Sequence, residues 1–157
     1  MSIAFIFPGQ GSQAPGMGKS LHDAFAAARE VFQEVDDALG EKLSRLIFEG
    51  PEDQLTLTAN AQPALMAVSL AAMKALEREF GVGATKAAFV AGHSLGEYSA
   101  LAAAGALSIS DAAKLLRTRG NAMQAAVPVG QGAMAALIGK VDVALAEEIA
   151  KAGESAG

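Results

Sequence analysis

The sequence predicts an α/β fold in which helices pack on a parallel sheet. Residues 3–7 form a continuous apolar run with β-branched and aromatic side chains, which is typical of a buried parallel strand. Residues 87–90 form a second apolar run with strand character, and the region between the two runs is mostly helical in pattern. A glycine-rich turn follows the second run directly and leads into a helix, so the chain contains a strand–turn–helix unit.

The composition indicates a globular protein with one substantial core. The chain has 157 residues, of which 52% are hydrophobic and 18% are charged. The formal net charge is −5 and no block of lysine or arginine occurs, so we expect neither nucleic acid nor a membrane as a partner. No apolar run approaches membrane-spanning length, and the N-terminus lacks the basic start of a signal peptide. We therefore expect a cytoplasmic monomer.

Metal and thiol chemistry are disfavoured by residue usage. The chain has no cysteine, which removes disulfides, thiolate catalysis and cysteine-based metal sites. Histidine, aspartate and glutamate do not occur at the spacings typical of metal ligands. We expect no metal.

The first predicted strand leads into a glycine-rich loop at residues 7–13. Gly9 and Gly11 let the backbone approach a ligand and leave N–H groups free to point at it. The spacing from Gly9 to Ala14 also resembles a dinucleotide-binding fingerprint. Because no second strand ending in an acidic residue follows at the required distance, a dinucleotide site is disfavoured.

Helical periodicity accounts for the chain between the two strands. Val31, Phe32, Val35 and Leu39 form one apolar face of a helix that Gly40 ends. The inner stripe of the longest predicted helix consists of Leu65, Met66, Ser69, Met73, Leu76 and Phe80. The predicted helices span residues 20–39, 42–48, 51–57 and 60–80 between the two strands, and residues 95–107 and 108–127 after the second strand.

A break at residues 128–132 separates this region from the C-terminal part of the chain. Residues 133–138 have the pattern of a strand, and residues 142–152 have that of an amphipathic helix. One strand with one helix cannot bury its apolar surface on a sheet of its own. We therefore expect residues 1–128 to form part of a larger subdomain and residues 129–157 to begin a second, incomplete one.

The turn after the second strand predicts a nucleophile. It is too sharp for side chains at Gly92 and Gly96 to fit against the neighbouring strand and helix. The Ser94 hydroxyl would stand at its tip and point at the positive end of the helix, whose first N–H groups lack helical partners. Such a nucleophile elbow suits a serine that attacks a carbonyl and holds the resulting oxyanion. The alternative is a glycine-rich turn that happens to carry a serine.

A nucleophilic serine needs a general base, usually a histidine. His93 adjoins Ser94, so its side chain should leave the turn in a different direction and serve packing or positioning. His22 lies near the start of the first helical region and is expected at the surface. The sequence therefore shows a nucleophile without its base.

Arg119 is the second informative side chain, because it lies on the apolar stripe of its predicted helix. That stripe consists of Leu115, Leu116, Met123 and Val127. Lys114 and Arg117 are expected to the side or outward. An inward guanidinium must meet an anion or incur a large desolvation penalty. It could pair with a buried carboxylate, Glu97 or Asp111, or it could receive the carboxylate of a substrate.

Four further polar residues lie near the starts of predicted helices. Gln62 precedes Pro63 at the opening of the longest predicted helix, and the sequence leaves open whether it lines a pocket. Ser108 and Asp111 have the spacing of a capping box. Glu97 falls in the first turn after the elbow, where a carboxylate stabilises the helix dipole.

Five stretches of the chain follow one another in a specific order. They are Phe7-Pro8-Gly9-Gln10-Gly11-Ser12-Gln13, Ala61-Gln62-Pro63-Ala64, Gly92-His93-Ser94-Leu95-Gly96-Glu97-Tyr98-Ser99-Ala100, Arg119-Gly120 and Gly132-Ala133-Met134-Ala135-Ala136. Together they resemble the malonyl-CoA:acyl carrier protein transacylases of fatty-acid synthesis. Any one stretch is moderately specific, and five in order are highly specific. Members of that family are considerably longer, so the chain resembles their N-terminal part.

The resemblance implies a fold and a set of roles. It implies an α/β-hydrolase-like core and a small ferredoxin-like subdomain that starts near Gly130 and is incomplete. Ser94 would form a malonyl ester, the backbone N–H groups of Gln10 and Leu95 would make the oxyanion hole, and Arg119 would bind the malonyl carboxylate.

The resemblance also implies a reaction. Malonyl-CoA would give its malonyl group to Ser94, and the phosphopantetheine thiol of acyl carrier protein would take it, with no metal or other cofactor. His93 and Gln62 are candidate pocket residues. The family's catalytic histidine, and the residue that orients it, lie in a part of the family's sequence that this chain does not show.

Two other functions stay open at this point. A serine thioesterase or esterase of α/β-hydrolase type shares the elbow, but its acyl acceptor is water. The mostly helical region between the two strands and the inward Arg119 count against it. A non-catalytic fragment or carrier-protein docking module is favoured only by the missing base.

Overall fold

The structure is a computed structural model that describes residues 2–127, 137 and 139–156. It divides into two compact units, which meet in sequence between Gln124 and Ala125. The elements are β1 (Ile3–Phe7), α1 (Lys19–Ala24), α2 (Ala26–Leu39), α3 (Leu43–Glu49), α4 (Glu52–Thr56), α5 (Thr58–Phe80), β2 (Ala87–Gly92), α6 (Gly96–Ala103), α7 (Ile109–Ala126) and α8 (Val143–Ala156). A short 3₁₀ turn, Ala84–Lys86, precedes β2.

The predicted α/β architecture with a parallel sheet is confirmed. β1 and β2 pair in parallel, with Phe5 opposite Val90 and Phe7 opposite Gly92. Successive side chains of a strand point to opposite faces, so Phe5, Phe7 and Val90 share one face. That face packs on α5 and α6, where Met73 and Ala100 complete a small apolar cluster.

Residues 3–7 form the predicted strand, but the expectation that the strand is buried is wrong for the face of the sheet that points away from α5 and α6. Ile6 is 80% exposed and Phe89 is 74% exposed. The helices of the first unit cover the opposite face of the two-stranded sheet, so within the described part of the chain these side chains stay exposed. Continuous hydrophobicity predicted burial on both sides, and only Phe7 is fully buried in β1.

The main core lies between α2 and α5. Val31, Phe32 and Val35 of α2 are buried as predicted. They pack in one cluster with the buried α5 side chains Leu65, Met66 and Leu70. The single helix predicted over residues 20–39 is two helices, because the backbone at Phe25 is extended between α1 and α2.

α5 begins earlier than predicted, at Thr58 rather than residue 60, and it contains Pro63 in its second turn. Proline is compatible with this position because it lies near the start of the helix, although its ring removes one helical donor. Leu76 and Phe80, predicted on the inner stripe, are 38% and 65% exposed. They lie in the last turns of the helix, beyond the cluster formed with α2.

α6 ends at Ala103, four residues before the predicted boundary, because Gly105 adopts a left-handed conformation with φ of 78°. α7 matches its predicted span and begins as predicted after Ser108. The Ser108 hydroxyl accepts the Asp111 N–H at 3.0 Å and donates to the Asp111 carboxylate at 2.7 Å. This exchange is the capping interaction that the sequence predicted.

The predicted apolar stripe of α7 is only partly correct. Leu115 is 46% exposed and Val127 is 53% exposed. The fully buried residues of α7 are Ala112, Ala113, Leu116 and Gly120. Small residues therefore form the contact face, because they let the helix backbone approach α5 closely.

The second unit contains α8, whose start is capped by Asp142 accepting the Leu145 N–H at 2.9 Å. The strand predicted over residues 133–138 lies outside the described residues apart from Leu137. The assignment of residues 1–128 and 129–157 to two subdomains remains a prediction. Among the described residues, no helix is both long enough and apolar enough to cross a membrane.

A buried carboxylate joins α2 to α3. Asp36 is 3% exposed and accepts the Ser44 N–H at 2.8 Å and the Ser44 hydroxyl at 2.7 Å. The Ser44 N–H is one of the first donors of α3 and has no partner within that helix. Lys42 lies 3.6 Å from the same carboxylate.

Replacing Asp36 by alanine should therefore destabilise the protein by about 2–4 kcal/mol, because two charge-assisted hydrogen bonds are lost and the partly buried Ser44 N–H is left without its acceptor. Asp37→Ala is the matched control: Asp37 is exposed and its carboxylate accepts only a surface bond from Gln33. That control should change the free energy of unfolding by no more than about 0.5 kcal/mol. Urea unfolding of both variants makes the comparison, and equal losses would contradict the capping role of Asp36.

Candidate active site

Ser94 has a strained backbone. Its φ is 55°, and it is the only residue other than glycine with positive φ in the part of the chain that the structure describes. Side-chain sterics make this left-handed conformation costly for a serine. Such strain is expected at a nucleophile elbow, where a sharp turn lifts the hydroxyl away from the backbone. The residue is exposed, so a substrate can reach it.

Two glycines make this turn possible, for the steric reason that the sequence indicated. A Cβ at Gly92 would overlap the carbonyl group of Gly96, and a Cβ at Gly96 would overlap the carbonyl oxygen of Phe7. It would also lie 2.8 Å from the Pro8 carbonyl oxygen. The close approach brings the end of β1, and the loop that follows it, against the start of α6.

The two predicted oxyanion donors lie in the loops on either side of this contact. Leu95 directly follows Ser94, and Gln10 follows Gly9, whose Cβ position would overlap the His93 ring. Neither the Leu95 N–H nor the Gln10 N–H donates a hydrogen bond to any described residue. Both groups are therefore available to a ligand, as an oxyanion hole requires.

Side chains hold the loop at residues 9–13 in shape. The Gln13 side-chain carbonyl accepts the Gly11 N–H at 2.8 Å. The Gln10 side chain donates to the Thr58 hydroxyl at 3.2 Å, which attaches the loop to the first residue of α5. Sequence reasoning missed Thr58, since a threonine at a helix start carries no signal of its own.

Neither histidine is positioned as the base for Ser94. The His93 residue is exposed, and its ring lies against Gly9 and makes no hydrogen bond to the serine. His22 was expected at the surface but is half-buried. Its ring lies 5.0 Å from that of Phe48 and 5.9 Å from that of Phe32. In the described part of the chain, the side chain that hydrogen-bonds the Ser94 hydroxyl is Arg119.

Arg119 connects the nucleophile to the core. It donates from Nη2 to the Ser94 Oγ at 3.1 Å and from Nη1 to the Gln62 Oε1 at 2.5 Å. The alternative that Arg119 pairs with Glu97 or Asp111 is wrong: Asp111 binds Ser108, and Glu97 is exposed at the start of α6. The guanidinium has no carboxylate partner among the described residues, so its charge is available to an anionic ligand.

The position of Gln62, which the sequence left open, is now clear. Its side chain is fully buried, with its carbonyl oxygen on Arg119 and its amide 3.3 Å from the Met123 sulfur. A buried amide with both ends engaged is fixed in orientation. Gln62 therefore holds the Arg119 guanidinium in one direction, beside Ser94.

Arg117 was predicted to the side or outward, and this is wrong. Its side chain is only 20% exposed. It donates from Nη1 to the Ala59 carbonyl oxygen at 2.7 Å and to the Asn60 Oδ1 at 2.6 Å, and its Nη2 contacts the Glu41 carboxylate. The prediction takes Leu115 as part of the buried stripe of α7, but Leu115 is exposed. The buried face of α7 therefore lies in a different direction from the predicted one.

In the described residues, no group of three or more histidine, aspartate or glutamate side chains could hold a metal ion. The side chain that bonds the Ser94 hydroxyl is instead a donor, the Arg119 guanidinium, and the unbonded N–H groups of Gln10 and Leu95 lie in the adjoining loops. Donors of this kind bind negative charge, either a carboxylate or the oxyanion of a carbonyl under attack.

Known acyltransferases are similar to this chain in sequence and in structure. The model of the acyl transferase domain family matches residues 4–152. A malonyl CoA-acyl carrier protein transacylase of Bacillus subtilis strain 168 is 56% identical over 137 residues, which are 87% of this chain and 42% of that protein. The crystal structure of an acyl-carrier-protein-S-malonyltransferase from Bartonella henselae is 63% identical with a TM-score of 0.88, and the match covers 100% of this chain and 50% of that one.

A third similar protein is a malonyl-transacylase solved in complex with its type II PKS acyl-carrier protein. It is 44% identical with a TM-score of 0.75, and the match covers 82% of this chain and 40% of that one. The chain thus spans about half the length of the relatives that it matches. The family model nonetheless covers nearly the whole chain, and the chain belongs to the acyl transferase domain family.

Proposed function

We propose that the protein transfers a malonyl group from malonyl-CoA to the phosphopantetheine thiol of acyl carrier protein, in fatty-acid synthesis. The observation that carries this proposal is the Arg119 guanidinium, held 3.1 Å from the Ser94 hydroxyl and without a carboxylate partner in the described chain. In a malonyl ester, only a carbonyl and a methylene separate the serine oxygen from the free carboxylate. A cation beside the serine therefore suits malonyl better than an uncharged acyl group.

The first half of the reaction acylates the serine. Ser94 Oγ attacks the thioester carbonyl of malonyl-CoA, a carbon–oxygen bond forms, and the carbonyl oxygen becomes an oxyanion. The N–H groups of Gln10 and Leu95 receive that charge, and the positive end of α6 adds to its stabilisation. The intermediate then collapses, the carbon–sulfur bond breaks, and CoA leaves as the thiol.

The second half reverses the order of events. The phosphopantetheine thiol of acyl carrier protein attacks the malonyl-serine ester, and the serine hydroxyl is restored. Throughout, Arg119 would retain the malonyl carboxylate, with Gln62 fixing the guanidinium. This role would make the selectivity for carboxylated acyl groups a property of α5 and α7.

The proton of Ser94 needs an acceptor. A guanidinium has no free acceptor site, so Arg119 cannot take that proton. The matched relatives are about twice as long as this chain, and the resemblance assigns the histidine base to the part of them that is not matched here. We propose that in this protein, too, the base comes from a segment outside this sequence.

The remaining expectations are part of the same proposal. The complete protein would have an α/β-hydrolase-like core with a small ferredoxin-like subdomain and would work as a cytoplasmic monomer without metal or other cofactor. Acyl carrier protein is proposed as the partner because one similar malonyl-transacylase was solved in complex with an acyl-carrier protein.

Ser94→Ala should abolish acylation of the complete gene product and lower kcat by at least about 10⁴-fold, because the nucleophile is lost. Intact mass after incubation with malonyl-CoA should show one malonyl adduct on the wild type and none on the variant. Ser99→Ala is the matched control: Ser99 is fully buried in α6, and its hydroxyl has no hydrogen-bond partner among the described residues. That variant should acylate normally.

The same assay separates transfer from hydrolysis. With holo acyl carrier protein present, the malonyl group should move to the carrier. Release of free malonate without a loaded carrier would instead identify a thioesterase, and an adduct on Ser94→Ala would contradict the nucleophile assignment.

Arg119→Ala should lower kcat/KM for malonyl-CoA by roughly 10²-fold or more but change acetyl-CoA use little, because acetyl has no carboxylate to bind. Arg119→Lys should rescue only part of the loss, since an ammonium cannot hold Gln62 and a carboxylate in a fixed fork. Steady-state kinetics with both thioesters tests this expectation. Equal losses with malonyl-CoA and acetyl-CoA would rule out the carboxylate role.

A further inference from the structure

Pro63 removes one helical hydrogen bond from α5. Within an α-helix, each N–H binds the carbonyl oxygen four residues earlier, and the residue four before Pro63 is Ala59. Because proline has no N–H, the Ala59 carbonyl oxygen loses its helical donor. Ala59 is half-buried, so this oxygen requires a donor from elsewhere in the protein.

Arg117 supplies that donor. Its Nη1 lies 2.7 Å from the Ala59 oxygen and 2.6 Å from the Asn60 Oδ1. On its other side, Nη2 contacts the Glu41 carboxylate just after α2, so the guanidinium charge is neutralised locally. A planar guanidinium can satisfy these partners together, whereas an ammonium cannot reproduce the fork.

The contact also fixes how α7 lies on α5. A Cβ at Gly120 would lie 2.7 Å from the Thr58 oxygen and 2.7 Å from the Ala59 Cα, so the two backbones touch at this point. Arg117 and Gly120 are three residues apart and therefore lie on the same side of α7. Together they fix the rotation of α7 about its axis and its position along that axis relative to the first turn of α5.

Arg119 lies between these two anchors in sequence, and its partner Gln62 directly precedes Pro63. The 2.5 Å bond from Arg119 to Gln62 is thus made by the same two helix segments that Arg117 joins. A small slide or rotation of α7 would move the Arg119 guanidinium relative to both Gln62 and Ser94.

We infer that Arg117 is a positioning residue, which aligns Arg119 by binding the Ala59 carbonyl that Pro63 leaves free. The inference rests on the proposed function, because it assigns to Arg117 control over selectivity for the malonyl carboxylate. Arg117 itself touches neither Ser94 nor the proposed substrate position, so its effect is transmitted through the contact of α7 with α5.

The test compares Arg117→Met and Arg117→Lys with wild type in the complete gene product. Arg117→Met should lower kcat/KM for malonyl-CoA about tenfold, mainly through KM, while acetyl-CoA use changes much less, since misplacing a binding group by a fraction of an ångström is costly. The kcat/KM of Arg117→Lys for malonyl-CoA should lie between those of the wild type and Arg117→Met. Arg45→Met is the matched control: Arg45 is 78% exposed and makes only a surface pair with Glu49.

The decisive quantity is the ratio of kcat/KM for malonyl-CoA to kcat/KM for acetyl-CoA. If this ratio keeps its wild-type value in Arg117→Met, the inference is overturned, even if the melting temperature falls. A residue with a merely structural role would lower the melting temperature without changing the ratio. Should Arg117→Met fail to fold, the same ratio measured on Arg117→Lys decides in its place. A second readout needs no substrate: the NMR resonance of the Arg119 Nε–H should shift in Arg117→Met and not in Arg45→Met. If wild type forms no malonyl-enzyme, the proposed function fails, and an unshifted resonance separately overturns the positioning role.

Discussion

The close approach of Gly96 to the end of β1 is the contact on which the site depends. A Cβ on Gly96 would overlap the Phe7 carbonyl oxygen, and one on Gly92 would overlap Gly96 itself. Because both positions lack a side chain, α6 begins directly against the sheet, and the turn between them is tight enough to hold Ser94 at a φ of 55°. The same contact draws in the loop that carries Gln10. Nucleophile and both proposed oxyanion donors therefore result from one packing constraint.

The first turn of α5 joins the remaining parts of the site. Thr58 accepts the Gln10 side chain, the Ala59 carbonyl accepts Arg117, and Gln62 accepts Arg119. The Thr58 and Gln62 acceptors are side-chain oxygens, whereas the Ala59 acceptor is a backbone carbonyl that Pro63 leaves without its helical donor. A segment that sequence patterns describe only as the start of a long helix thus supports the loop that carries Gln10 and the neighbouring helix α7.

The sequence predicted those features that depend on local chemistry. The elbow, the Ser108 cap and the buried face of α2 each follow from residues close together in the chain, whose spacing fixes their geometry. The errors concern what lies against each element. Ile6 and Phe89 are apolar but exposed, because exposure depends on which face the helices cover. Arg117 faces inward, contrary to the prediction. The prediction failed because α7 packs through alanine and glycine, and small residues give little periodic signal.

The chemistry of the site depends on whether the groups at Ser94 donate or accept hydrogen bonds. Among the described residues, the side chain that hydrogen-bonds the Ser94 hydroxyl is Arg119, a donor that cannot accept a proton. Such a site stabilises negative charge but cannot create the serine alkoxide by itself. In the proposed reaction, Arg119 would exchange its bond to the Ser94 oxygen for one to the malonyl carboxylate while Nη1 stays on Gln62. The guanidinium then moves little on acylation, so little ordering entropy is lost at that step. In this proposal, selectivity for the malonyl carboxylate would depend on Arg119 and Gln62, and proton transfer would need a separate group with a free acceptor site.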